Sequence, residues 1–149
     1  MRKVWVLLLL FAQTALAQNK ALDSLQLQLS AAKTDESRLA ILKELVNTAF
    51  ETGLNKALEY ARMGVDLADR AGDKNAQPIF YEMKGRMHAN MLQLDSATHF
   101  FDKAMAGYKA IDNKKGQATT WFKIGWVHKK KQEIDKAMDA DMTALTLME

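Results

Sequence analysis

The stretch Leu94-Asp95-Ser96-Ala97 is written again, forty residues away on either side, as Leu54-Asn55-Lys56-Ala57 and Ile134-Asp135-Lys136-Ala137. An apolar residue, a helix-capping Asn or Asp, one free position and an alanine recurring in step mean one structural unit repeated. The register extends beyond that phrase. Ile41, Tyr81 and Trp121 fall in one column, Leu45, Gly85 and Gly125 in another, Gly64, Ala104 and Ala144 in a third. His88 matches His128, Gln77 matches Gln117, and the connector Lys74-Asn75-Ala76-Gln77 answers Lys114-Lys115-Gly116-Gln117. Chance does not align small residues, aromatics, caps and connectors in a single register. Arrays of this kind usually bind and seldom catalyse.

Outside the first residues the chain reads as helix throughout, with 1 proline, 7 glycines and no alternating apolar stretch long enough for a strand. Leu22, Leu25 and Leu29 form a leader helix, broken at Lys33-Thr34-Asp35. A helix over about Asp35 to Thr52 follows, stopped by Gly53, and a second over about Asn55 to Ala71, closed by Gly72. Pro78 is tolerated only in a first turn, which starts the next helix near Asn75 and carries it to Met91. Asp95 caps a helix to Ile111, another covers Lys115 to Lys131, and Asp135 caps the last. The expected fold is all-α, a right-handed α-solenoid of about three antiparallel helix pairs, with repeats at 35–74, 75–114 and 115–149 after a leader at 18–34. Ala57, Ala97 and Ala137 lie where two helices cross closely, and Gly85 and Gly125 accept a helix-propensity cost that close packing offsets.

Residues 1–17 have the three parts of a secretory signal. Arg2 and Lys3 supply the charge, Val4 to Ala12 the apolar run, and Ala15-Leu16-Ala17 the cleavage site before Gln18. The run is too short to span a membrane, which takes about 20 apolar residues, so an exported, periplasmic or extracellular protein without a membrane span is expected. The 149-residue chain has no cysteine, hence neither a disulfide nor a lipid-modified cysteine. Its formal charge of +3 includes Arg2 and Lys3, leaving +1 after cleavage, too balanced to suggest nucleic acid. The run Lys129-Lys130-Lys131 suits the dipole at a helix end.

At the level of columns the chain resembles the tetratricopeptide repeat. Tyr81, Gly85, Ala97, Phe101 and Ala104 meet that pattern completely. Trp121, Gly125, Ala137 and Ala144 meet it with Asp141 where the second aromatic belongs, and Ile41, Leu45, Ala57, Ala61 and Gly64 follow it loosely. The family's usual period is about 34 residues, against forty here, a length that armadillo and HEAT repeats share. Forty-residue versions behind a signal look like the periplasmic input regions of bacterial sensor histidine kinases and related regulators. The resemblance implies a non-enzymatic module that binds a protein or peptide in a concave groove, as the sensory or interaction region of a signal-transduction protein; a free-standing periplasmic scaffold is the alternative.

Catalytic or metal chemistry has little to stand on. His88 and His128 replace an interface tyrosine of the family and read as packing residues, His99 with Asp102 is a common surface spacing, and no phosphate loop or nucleophile elbow occurs. No cofactor or metal is expected. Met63, Met83, Met87, Met105 and Met138 lie at helical spacing and read as core.

The groove should be lined by the first helix of each pair. Its exposed stripe is expected to present Met83, Arg86 and Asn90 in the second repeat, and Phe122, Lys123, Trp126, Lys129 and Lys130 in the third. Aromatic anchors beside cations suit an extended or acidic peptide; the bland reading is a solvated face with one packed tryptophan. Leu42 and Val46 stand where the carboxylate clamp of chaperone-binding relatives needs polar groups, so that ligand is not expected. Met142, Leu145, Leu147 and Met148 leave an apolar edge on the last helix, which implies missing repeats, a partner or a second copy there.

Overall fold

The computed structural model describes residues 19–149. The expected signal at 1–17 lies outside the described residues. Among the described residues seven helices follow one another: α1 (19–31), α2 (Asp35–Phe50), α3 (Leu54–Ala71), α4 (Ala76–Asn90), α5 (Leu94–Ala110), α6 (Lys114–Lys130) and α7 (Ile134–Thr146). Each helix from α2 onward packs against the next, and α4 also touches α2 and α6. The second helices α3, α5 and α7 do not touch one another. The first helices therefore line the tighter, inner side of the stack.

The small-residue columns are the seats of this packing. Ala57, Ala97 and Ala137 are fully buried. A Cβ added to Gly64 would lie 2.1 Å from the Phe80 ring, one on Gly85 2.6 Å from Phe101, and one on Gly116 2.4 Å from Tyr108. Gly125 differs. The atom over it is Oδ1 of Asp141, at 2.5 Å from such a Cβ, because Asp141 stands where Phe101 stands one repeat earlier. Asp141 in turn accepts a bond from Lys129 Nζ at 3.0 Å, so an ion pair replaces the aromatic lid. Leu22 of α1 is buried and Leu25 and Leu29 pack beside it, while Gln26 bonds the Tyr60 hydroxyl.

The capping expectation is corrected. Asn55, Asp95 and Asp135 are not caps; helices α3, α5 and α7 begin one residue earlier, with Gly53, Gln93 and Glu133 at the cap position and no side-chain cap bond. The carbonyls of those three residues accept the N–H groups of Ala57, Ala97 and Ala137 at 3.1, 2.9 and 3.0 Å. The repeated phrase is thus the whole first turn of each second helix. At its second position Asp95 and Asp135 act through the positive end of the helix dipole.

Compact turns cause that offset. Leu92 and Gln132 take the left-handed conformation, at φ 58° and 62°, directly after α4 and α6. Gln93 N–H donates to His88 O at 2.9 Å and Glu133 N–H to His128 O at 3.0 Å, the six-to-one bond of a Schellman closure. Only one residue then remains before the next helix. Side-chain caps occur elsewhere, from Thr34 to Ser37 N–H and from Asn113 to Gly116 N–H. Pro78 falls in the first turn of α4, where it rests on Gly107.

The methionines divide. Met83, Met87 and Met105 are buried, but Met63 and Met138 are exposed, against the expectation that all five fill the core.

Candidate functional site

On the inner face, α4 and α6 frame a cleft of about 350 Å³ lined by Arg86, Ala89, Asn90, Phe101, Phe122, Lys123 and Trp126. The helical repeat puts Arg86 and Asn90 one turn apart on α4, and Phe122 and Trp126 one turn apart on α6. Buried Ala89 and Phe101 close the floor. Phe122 and Trp126 are 36% and 38% exposed, which makes them lips of the cleft and not part of the closed layer beneath. The lining is mainly apolar, a composition suited to an anchoring side chain.

The cations here are mostly engaged. Arg86 Nη2 donates to Asn47 Oδ1 at 2.9 Å, and its guanidinium lies over the Phe50 ring at 4.6 Å. Both partners belong to α2, so Arg86 ties the first repeat to the second. Its Nε is buried without a hydrogen-bond partner, and burial pushes the guanidinium down from its usual value while Glu82 and Glu51 pull the other way. Asn90 Nδ2 donates back to Arg86 O at 2.9 Å. Lys123 Nζ bonds Glu82 Oε1 at 2.7 Å.

The other oxygen of Glu82 accepts from Tyr108 Oη at 3.1 Å, with Thr119 and Thr120 hydroxyls at 3.5 and 3.4 Å. Burial, then Glu82, pushes the Tyr108 phenol up, keeping it a donor. Neither Glu82 nor Asn47 carries a signal in the sequence. Each matters through a partner more than 25 residues away, at separations of 26 for Glu82–Tyr108 and 39 for Arg86–Asn47.

Three expected residues lie outside the cleft lining. Met83 is corrected to a core position at 8% exposure, because α4 is flanked by α2, α3 and α5 and has little free perimeter. Lys129 is directed to Asp141. Lys130 stands over the Trp126 ring at 5.1 Å.

The histidines have local partners. His88 Nδ1 lies 2.6 Å from Gln93 Oε1 and its ring stacks on Phe100 at 5.1 Å, while His128 Nδ1 lies 2.5 Å from Glu133 Oε2. Among the described residues no three His, Asp or Glu side chains converge as metal ligands would. Among them, too, no helix is long and apolar enough to cross a membrane.

Among the solved structures that share this architecture are two of particular likeness. One is BtubC (BKLC) from P. vanneervenii, with a TM-score of 0.71 at 14% identity over 92% of this chain. The other is MamA, with a TM-score of 0.66 at 22% identity over 91% of this chain and 71% of that one. The chain spans about half the length of the BtubC structure, 55%. No family model and no curated protein sequence matches the chain. At these identities the likeness is one of fold, and that fold is a tetratricopeptide-like helical-repeat solenoid.

Proposed function

We propose that the chain is a non-enzymatic interaction module that holds an extended segment of a protein partner against the inner face of its solenoid. The observation that carries this is the α4–α6 cleft, an apolar depression with two half-exposed aromatic lips. Aromatic residues at the rim of a pre-formed pocket supply large contact area at small entropic cost. The anchor of the partner is an apolar or aromatic side chain seated between Phe122 and Trp126 over Phe101. Because Lys123 and Lys129 are already paired, affinity comes from that anchor more than from charge.

The same reading places the module in the cell envelope, as the input or interaction region of a signalling protein. The signal-like residues 1–17 and the forty-residue period support it. Fractionation of expressing cells tests the location: a protein starting at Gln18 outside the cytoplasm is expected, and full-length cytoplasmic protein refutes it.

Panning a displayed random-peptide library against the chain, then rebinding the selected peptides to Trp126→Ala, tests the groove. Selected peptides should carry an apolar or aromatic anchor and bind the variant at least about tenfold more weakly, the loss expected of a central aromatic. Peptides that bind both proteins equally refute the site. A variant that has lost its helical circular dichroism shows Trp126 to be core, and refutes it too.

A further inference from the structure

The first helix pair departs from the repeat beside α1. In the second pair Pro78 rests on Gly107, so close that a Cβ on that glycine would lie 2.8 Å from the Pro78 ring. Forty residues earlier the same two columns hold Arg38 and Leu67, side chains too large to meet in that way. A cavity of about 310 Å³ opens there instead, framed by the end of α1, the start of α2 and the last turns of α3. That volume is at the lower end of the range for small-ligand sites, about 300–1,000 Å³. Its lining is largely aliphatic: Leu42 and Leu67 are buried, Leu29 is half-buried, and Met63 is partly exposed.

The same cavity is lined by opposite charges that do not meet. Asp66 and Arg70 are one turn apart on α3, the spacing at which a helix commonly joins an acid to a base. Here Arg70 Nε donates to the Asp66 carbonyl oxygen at 3.1 Å and not to its carboxylate. Among the described residues neither side chain has an ion-pair partner, which leaves both Nη groups of Arg70 and the Asp66 carboxylate unmatched. Arg38, across from them on α2, is held by Ala32 O at 3.1 Å and Asp35 Oδ1 at 3.3 Å. In the second repeat the columns of Asp66 and Arg70 are Ala106 and Ala110, so neither charge belongs to the repeated scaffold.

A guanidinium with two free N–H groups takes a carboxylate side-on, and a free carboxylate takes an ammonium group. An aliphatic floor beside them takes an apolar side chain. A free apolar amino acid carries all three on one carbon atom. We propose that this cavity binds an α-amino acid with an apolar side chain, its carboxylate on Arg70, its ammonium on Asp66 and its side chain against Leu29, Leu42 and Leu67. The ligand is neutral overall, as is the pair of side chains that receives it. The cavity shares no residue with the α4–α6 cleft and does not rest on the reading given to that cleft.

Calorimetric titration of the full chain with L-leucine is the test, with leucinamide, N-acetyl-leucine and glycine as comparison ligands. Saturable binding at one site per chain is expected for L-leucine, and each of the other three should bind about tenfold or more weakly, having lost one charged hydrogen-bonding group or the apolar side chain. Asp66 and Arg70 are both exposed, so exchanging them should leave the fold intact. Arg70→Gln should abolish the preference for L-leucine over leucinamide, and Asp66→Asn the preference over N-acetyl-leucine, effects that a merely structural change does not produce. Trp126→Ala should leave L-leucine binding unchanged. Absence of saturable binding overturns the proposal, as does N-acetyl-leucine binding as tightly as L-leucine, or an affinity indifferent to both substitutions. Loss of binding in Trp126→Ala overturns it too, since the ligand then sits in the inner cleft.

Discussion

Gly85 and Gly125 occupy the same column, yet alanine should do different things at the two. In a helix interior alanine is favoured over glycine by about 1 kcal/mol. At Gly85 the new methyl would lie 2.6 and 2.7 Å from two carbons of the Phe101 ring, which is 1% exposed. Forcing a methyl into a packed layer costs about 1–3 kcal/mol, so Gly85→Ala should be destabilised by about 1 kcal/mol net. For a chain of this size that is a fall of about 3–5 °C in Tm.

At Gly125 the nearest obstructing atom is the carboxylate end of Asp141, whose side chain is partly exposed and can swing aside, and the Ala137 carbonyl oxygen, at 3.3 Å, must give by only a few tenths of an ångström. Moving it forfeits the pair with Lys129, worth at most about 1 kcal/mol at an exposed site, so Gly125→Ala should fall within about 0.5 kcal/mol of wild type by the same balance. Urea unfolding followed by far-ultraviolet circular dichroism measures both. Phe101→Leu should cost less in the Gly85→Ala background than in wild type, by about 0.5–1 kcal/mol, the size expected of residues in direct contact. If Gly85→Ala is as stable as Gly125→Ala, or if Phe101→Leu costs the same in both backgrounds, the glycine is not there to seat the ring.

Leu92→Gly and Gln132→Gly should each stabilise the protein by about 0.5–1 kcal/mol, because both residues are held at positive φ, where only glycine is at ease; unchanged or lower Tm values refute this. Glu133 is held below the ordinary carboxylate range, first by His128 and then by Lys136. Its contribution is therefore present above its unfolded pKa and lost as the pH falls through the folded one, so Glu133→Gln should flatten the acid limb of a stability-against-pH curve. An acid limb identical in wild type and Glu133→Gln would show that this pair contributes nothing.

The period, the helix order and the small-residue columns were legible because each is written locally and then repeated. Alanine at Ala57, Ala97 and Ala137 and glycine at Gly85 and Gly125 report close approach wherever they recur, whatever lies opposite. The caps expected at Asp95 and Asp135 were misplaced by two residues because the boundary depends on the left-handed turn at Leu92 and Gln132, and neither residue type advertises positive φ. Met83 was counted both among the core methionines and on the exposed stripe, because a helical wheel assumes one buried face, and α4 has neighbours on several sides. Asp141 looked like a defect in the aromatic column. Only its contact with Lys129 shows that it fills the same seat by another means.

By itself, then, the sequence determined that this is a stack of helical pairs, where each pair begins, and which positions must be small. Those follow from backbone propensity and from volume, which are properties of a residue and its near neighbours. The tertiary structure decided which side chains remain available. Arg86 is drawn to Asn47 and Phe50, Lys123 to Glu82 and Lys129 to Asp141, while Phe122 and Trp126 stay open. A charge finds its partner, and an apolar side chain its cover, only when segments distant in sequence are brought together, and a repeating pattern cannot say which of its faces the fold leaves uncovered.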